Sequence, residues 1–121
     1  MTRIRKFEDI ESWKKARKLS QRVYEVTAKG DLRRDFGLKE QLRRASVSVL
    51  ANIAEGFERG GDKEFARFLC IAKGSCGEVR AQLYVALDQR YLSPSEFEDL
   101  SNLATEVGRL LSGLIKYLKG F

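Results

Sequence analysis

Residues 38–59 constrain the fold more than any other stretch of the chain. Wound at about 100° per residue, Leu38, Leu42, Ala45, Val49, Ile53 and Gly56 fall within one narrow arc, the stripe that a core-facing helix needs. A second apolar stripe, Val47, Leu50, Ala54 and Phe57, stands at roughly a right angle or more to the first. The remaining arc carries a polar line of Gln41, Arg44, Ser48, Asn52, Glu55 and Arg59. A helix with two apolar faces wants two sets of neighbours. Either it is the most buried helix of its bundle, or one stripe packs inside the subunit while Val47, Leu50, Ala54 and Phe57 form an oligomer interface. The polar line also reads two ways: as solvated or locally hydrogen-bonded side chains, or as a specified hydrogen-bonding site centred on Asn52 and Glu55.

The rest of the chain supplies three more helices. Ile10, Trp13, Ala16, Val23, Tyr24 and Thr27 recur at helical spacing and predict a helix over about 8–29 that Gly30 ends. Residues 31–37 read as a short loop, and the helix described above then runs over about 38–59. Gly60-Gly61 breaks the chain, with Asp62 placed to cap a third helix over about 62–90. That helix carries Gly74, Ser75 and Gly77 in its middle. A glycine costs about 1 kcal/mol against alanine in a helix interior. Close approach of a neighbouring backbone, with Ala45, Ala54 and Gly56 as counterparts, is the expected compensation. Ser93-Pro94-Ser95-Glu96 has the form of a capping box with proline at the first helical position, and the fourth helix follows to about 119. No stretch alternates as a strand would. One all-α domain over 1–121 is expected, four helices joined by short loops in an antiparallel up-down-up-down bundle.

A chain of 121 residues with 43% hydrophobic composition buries a core without metal or disulfide. No run of about 18 apolar residues is present and no apolar leader follows Met1, so neither a membrane span nor secretion is expected, and a cytoplasmic location is. The net charge of +6 is unevenly placed. Residues 1–34 hold 11 Lys/Arg against 5 Asp/Glu, whereas residues 35–121 hold 12 of each. The excess sits at one end, on Arg3, Arg5, Lys14, Lys15, Lys18, Arg22, Arg33 and Arg34. Lys14, Lys18 and Arg22, at i,i+4 steps, make a ridge that suits a phosphate backbone or a merely solubilising surface. No aromatic residue interleaves that ridge to stack on bases.

Catalytic and metal chemistry finds little to work with. The chain has no histidine, which removes the commonest general base and transition-metal ligand. Cys70 and Cys76 lie about 120° apart on one helix and about 9 Å along its axis, so they cannot bridge and read as small buried hydrophobes. The carboxylates have helical ion partners, Glu55 with Arg59 and Glu40 with Arg44. No cofactor and no enzymatic activity are expected.

Several strings together resemble the four helix bundle proteins encoded within 23S rRNA intervening sequences. They are Phe7-Glu8-Asp9, Trp13-Lys14-Lys15-Ala16-Arg17, the run from Gln41 to Val49, Asn52-Ile53-Ala54-Glu55-Gly56-Phe57, Phe65-Ala66-Arg67-Phe68-Leu69 and the run from Ala72 to Glu78. The resemblance implies a left-handed antiparallel bundle that assembles into a ring, typically a homopentamer, without established catalysis. A related group, the accessory variability determinant proteins of diversity-generating retroelements, is similar in fold and implies partners of two kinds, RNA or DNA and a reverse transcriptase or other protein. Proline is common between the first two helices of the family; this chain has Gly30 there instead. Two functional expectations result: a non-enzymatic oligomer that binds nucleic acid through its basic N-terminal helix face, or a structural, protein-docking ring whose charge serves solubility.

Overall fold

The computed structural model describes residues 4–120, so Arg3 of the predicted basic set lies outside the described residues. Four long helices make up nearly all of it: α1 (Glu11–Thr27), α2 (Phe36–Glu58), α3 (Asp62–Asp88) and α4 (Pro94–Leu118). No strand occurs among the described residues, and none of their helices is long and apolar enough to cross a membrane.

The helix ends follow from local chemistry. Phe7–Asp9 forms a 3-10 turn before α1, so the helix starts three residues later than its apolar spacing suggests. A second 3-10 turn, Asp31–Arg34, occupies the predicted loop. It delivers Asp35, whose Oδ1 accepts from the Leu38 backbone N–H at 3.1 Å and caps α2. Its Oδ2 accepts from the Tyr91 hydroxyl at 3.0 Å, tying this corner to the α3–α4 connection. That bond holds the Tyr91 phenol above its ordinary pKa. Asp62 does not cap α3 as expected. Gly60 and Gly61, at φ +75° and +83°, turn the chain, Gly61 takes the cap position, and Asp62 is the first helical residue. There its carboxylate faces the positive end of the helix dipole. The capping box at α4 forms as predicted, Ser93 Oγ accepting from the Glu96 N–H at 3.1 Å and Glu96 accepting from the Ser93 N–H at 3.0 Å.

Each helix packs on the next, and α4 returns to α1. Thr27 meets Arg43, Gly56 lies against Phe68, Tyr84 meets Phe97, and Lys29 just past α1 meets Glu96 at the start of α4. Late residues of one helix thus meet early residues of the next, which makes consecutive helices antiparallel. The core divides along the axis. One cluster gathers Leu19, Val23, Leu32, Leu42, Val79, Leu83 and Leu100. The other gathers Ala16, Val49, Ile53, Leu69, Ala72, Val107 and Leu111. Burying each of these larger aliphatic side chains contributes about 1.5–3 kcal/mol, which is what holds helices whose own propensity is weakened by glycine.

The expected close approach occurs, but not at Gly74 or Gly77. Both are exposed, and an added Cβ at either would meet nothing within 4 Å. Gly56 is the residue that needs to be glycine: a Cβ there would stand 2.5 Å from the Cβ of Phe68 and 3.3 Å from the ring of Phe65. The tight contact of α2 on α3 is therefore glycine against aromatic. Of the two cysteines, Cys76 is buried as expected and Cys70 is exposed. Position 70 falls on the outer side of α3 while 69 and 72 face the core.

Candidate nucleic-acid interface

The predicted basic residues separate into engaged and free cations. Lys15 pairs with Glu106 on α4 at 3.3 Å, Arg22 with Glu25 at 3.4 Å and Arg34 with Asp31 at 3.4 Å. Lys14 and Lys18 are exposed and make no ion pair among the described residues, and the same holds for Arg5 and Arg33. The ridge is therefore shorter than its sequence spacing suggests, because Glu25 draws Arg22 aside. Arg17, which the charge pattern alone did not single out, joins it. A groove of about 610 Å³ on this side of α1 is lined by Glu8, Trp13, Lys14, Arg17, Lys18 and Gln21. The Arg17 guanidinium sits 5.9 Å from the Trp13 ring centroid, within the range of a cation–π contact.

A second basic surface lies where α1 ends and α2 begins. Tyr24, Phe36, Lys39, Glu40, Arg43 and Arg44 line a cleft of about 460 Å³. Arg43 donates through Nε to the buried Thr27 hydroxyl at 2.8 Å and lays its guanidinium 4.3 Å from the Tyr24 ring centroid. Thr27 can accept because its own proton goes to the Val23 carbonyl at 2.7 Å. Sequence reasoning missed Tyr24, Phe36, Lys39 and Arg43 as a group. The only signal was the Arg43-Arg44 pair: with Arg44 on the polar line, Arg43 stands about 100° away on the helix and faces α1.

The polar line of α2 does not converge on one site. Gln41 is exposed, and Arg44 lies 3.8 Å from Glu40. Ser48 shares a hydrogen bond of 3.0 Å with Ser75, and Asn52 donates to the Ser48 carbonyl at 2.8 Å and to its hydroxyl at 3.0 Å. Glu55 turns instead to Arg59 at 2.8 Å and holds that guanidinium above its ordinary pKa. Asn52 and Glu55 thus belong to different contacts, one a tie between α2 and α3, the other a surface ion pair.

The second apolar stripe is divided as well. Leu50 and Phe57 are half-buried on the core cluster of Val49, Ile53 and Leu69, as are Phe7 and Trp13, and the 3-10 turn of Phe7–Asp9 lies against α2. Phe57 meets Phe65 edge-on at 5.8 Å. Ala54 is half-buried, and Val47 is exposed. Part of the stripe thus finds its neighbours within the chain.

With this geometry in hand, the family model described as 23S rRNA-intervening sequence protein matches residues 8–113. The chain belongs to that family. The match takes in α1, both clefts and nearly all of the bundle. No curated protein matches it. The crystal structure of a protein of unknown function from the S23 ribosomal protein family of Bacteroides thetaiotaomicron is similar, with a TM-score of 0.79 and 24% identity. The similarity covers 87% of this chain and 98% of that one. At that identity the likeness establishes the four-helix fold.

Proposed function

We propose that this member of the family is a non-enzymatic binding module that holds RNA or another nucleic acid through the outer face of α1. One observation carries the reading: Lys14, Arg17 and Lys18 line a single groove, and none has an ion-pair partner among the described residues. Cations left free on one helix face are what a phosphate backbone requires, since each phosphate contact releases condensed counterions and contributes to affinity. Of the groups whose pKa is shifted, Tyr91, Glu96 and Arg59 serve caps or ion pairs, and the Cys76 thiol is raised by burial. Two free thiols suit a reducing, cytoplasmic compartment. The test is anisotropy of a labelled mixed-sequence RNA titrated with protein over a range of salt. Binding should fall steeply with salt, and Lys14→Ala with Lys18→Ala should flatten the slope by about 0.7 for each lost contact on a single strand. Binding with no salt dependence would overturn it.

Exposed apolar residues on the outer sides of α2 and α3, Val47 at 39%, Ile71 at 43% and Val85 at 47%, favour a second reading, assembly of the bundle with copies of itself. A ring of five is the form implied by the resemblance. Light scattering should then give a mass several times that of the 13.8 kDa chain, and Val47→Glu should reduce it. A monomeric mass for the parent would end this reading.

A further inference from the structure

We propose that the cleft between the end of α1 and the start of α2 is a stacking platform for unpaired nucleobases, so that the preferred ligand is single-stranded nucleic acid rather than duplex. The proposal rests on the nucleic-acid reading above and adds the kind of nucleic acid. Phe36, the first residue of α2, is 75% exposed, and Tyr24 beside it in the cleft is 43% exposed. A single exposed aromatic needs no explanation, but two in one cleft rimmed by cations do.

The charges around it are arranged asymmetrically. Residues 22–44 carry seven Lys/Arg and four Asp/Glu. Every one of the four carboxylates is occupied: Glu25 by Arg22, Asp31 by Arg34, Glu40 by Arg44, and Asp35 by the Leu38 N–H and the Tyr91 hydroxyl. Arg33, Lys39 and Arg43 have no carboxylate partner among the described residues. A protein docking here would have to bring its own carboxylates. A nucleic-acid strand brings a phosphate and an aromatic face in every residue, which matches both halves of the cleft.

Preorganisation supports the same ligand. Thr27 and the Tyr24 ring together fix the Arg43 guanidinium plane, and fixed guanidinium and aromatic planes are the surfaces on which splayed bases stack. On α1, Trp13, Arg17, Gln21 and Tyr24 follow one another at steps of four, four and three, so one side of the helix links the groove to the cleft over about 16 Å. In a duplex the bases are already stacked and paired, and Phe36 would gain nothing.

The experiment measures affinity by anisotropy for labelled oligouridine, oligothymidine and a duplex of equal length, at low and physiological salt, using the full chain. Parent protein is expected to bind a single strand more tightly than the duplex; the two single-strand arms tell RNA from DNA. Phe36→Ala should weaken single-strand binding at least about fivefold with an unchanged salt slope and unchanged duplex binding, while Phe36→Trp should retain it. Lys39→Ala should instead reduce the slope. If Phe36→Ala binds single strands like the parent, the platform is refuted, and continued loss in the Lys14 and Lys18 variants would leave the α1 reading standing. If neither nucleic acid binds, both fail together. A change of mass for Phe36→Ala in light scattering would assign the cleft to self-assembly and overturn the proposal.

Discussion

The seam between α2 and α3 and the groove between α3 and α4 are both lined by small residues, yet they use them in opposite ways. On the first, Gly56 lets the Phe68 and Phe65 side chains reach the backbone of α2, and the Ser48–Ser75 hydrogen bond ties the helices further along. On the second, Gly77, Ala104 and Gly108 leave a groove of about 420 Å³, and a Cβ added at Gly77 or Gly108 would meet nothing within 4 Å. Small residues bring helices together only when a large one fills the space they vacate. Where none does, they leave a groove, here rimmed by Lys73, Arg80 and Arg109.

The largest effect should come from closing the seam's gap. Gly56→Ala forces a Cβ against Phe68 at a point where backbone, not a flexible side-chain tip, must yield. Overpacking of this kind costs about 1–3 kcal/mol, and the melting temperature should fall by several degrees. An unchanged melting temperature would show that α2 and α3 can slide apart freely, and the contrast with the other groove would disappear.

The opposite sign is expected on the α3–α4 side. Gly77→Ala adds a methyl into open space in a helix interior, so it should stabilise by up to about 1 kcal/mol through backbone entropy alone. Destabilisation would mean that the groove closes in solution. The glycines of α3 illustrate what could be read from the chain beforehand. Periodicity yields the four helices and the capping box at Ser93, because both are local. It also identifies glycine as a packing device. It cannot say which glycine, because that depends on which aromatic of a neighbouring helix arrives opposite. The same limit explains the second stripe of α2, where Leu50 and Phe57 look unpartnered until the N-terminal turn and the core cluster around Val49 and Ile53 take up their side. The basic face was legible as charge, whereas the Tyr24–Phe36 cleft needed two helix ends to meet at a corner that the sequence read as loop.

A smaller effect concerns how α4 is held at its first turn. Its start relies on the capping box, and Glu96 there is kept below its ordinary pKa, first by the Ser93 N–H and then by Lys29 at 3.0 Å. A carboxylate whose pKa is lower in the folded chain stabilises above its unfolded value, and this contribution is lost as pH falls through the folded value. The side chain is about a third exposed, so the charge contributes no more than about 1 kcal/mol. Glu96→Gln keeps an acceptor for the cap and removes the charge. It should be slightly less stable than the parent at neutral pH, with the gap closing as the pH falls below the ordinary carboxylate range. A gap that persisted in acid would assign the effect to the hydrogen bond rather than the charge.

The last test involves no change in stability. Cys76 lines the α3–α4 groove, yet it is only 2% exposed, and burial pushes its thiol up to about 11 despite nearby Arg80. Cys70, six residues earlier, faces solvent. The thiolate is the species that alkylates, so a raised pKa and a buried sulfur both suppress reaction. Brief treatment of the native protein with iodoacetamide near pH 8, read by peptide mass, should label Cys70 and spare Cys76 until denaturant is added. The comparison makes this informative, because the groove looks open while the sulfur beneath it is closed. If Cys76 were labelled at a rate close to that of Cys70, α3 and α4 would have to separate often in the native state. The groove would then be a seam that breathes, whereas protection of Cys76 alongside a stabilising Gly77→Ala would establish it as a fixed depression over a closed core.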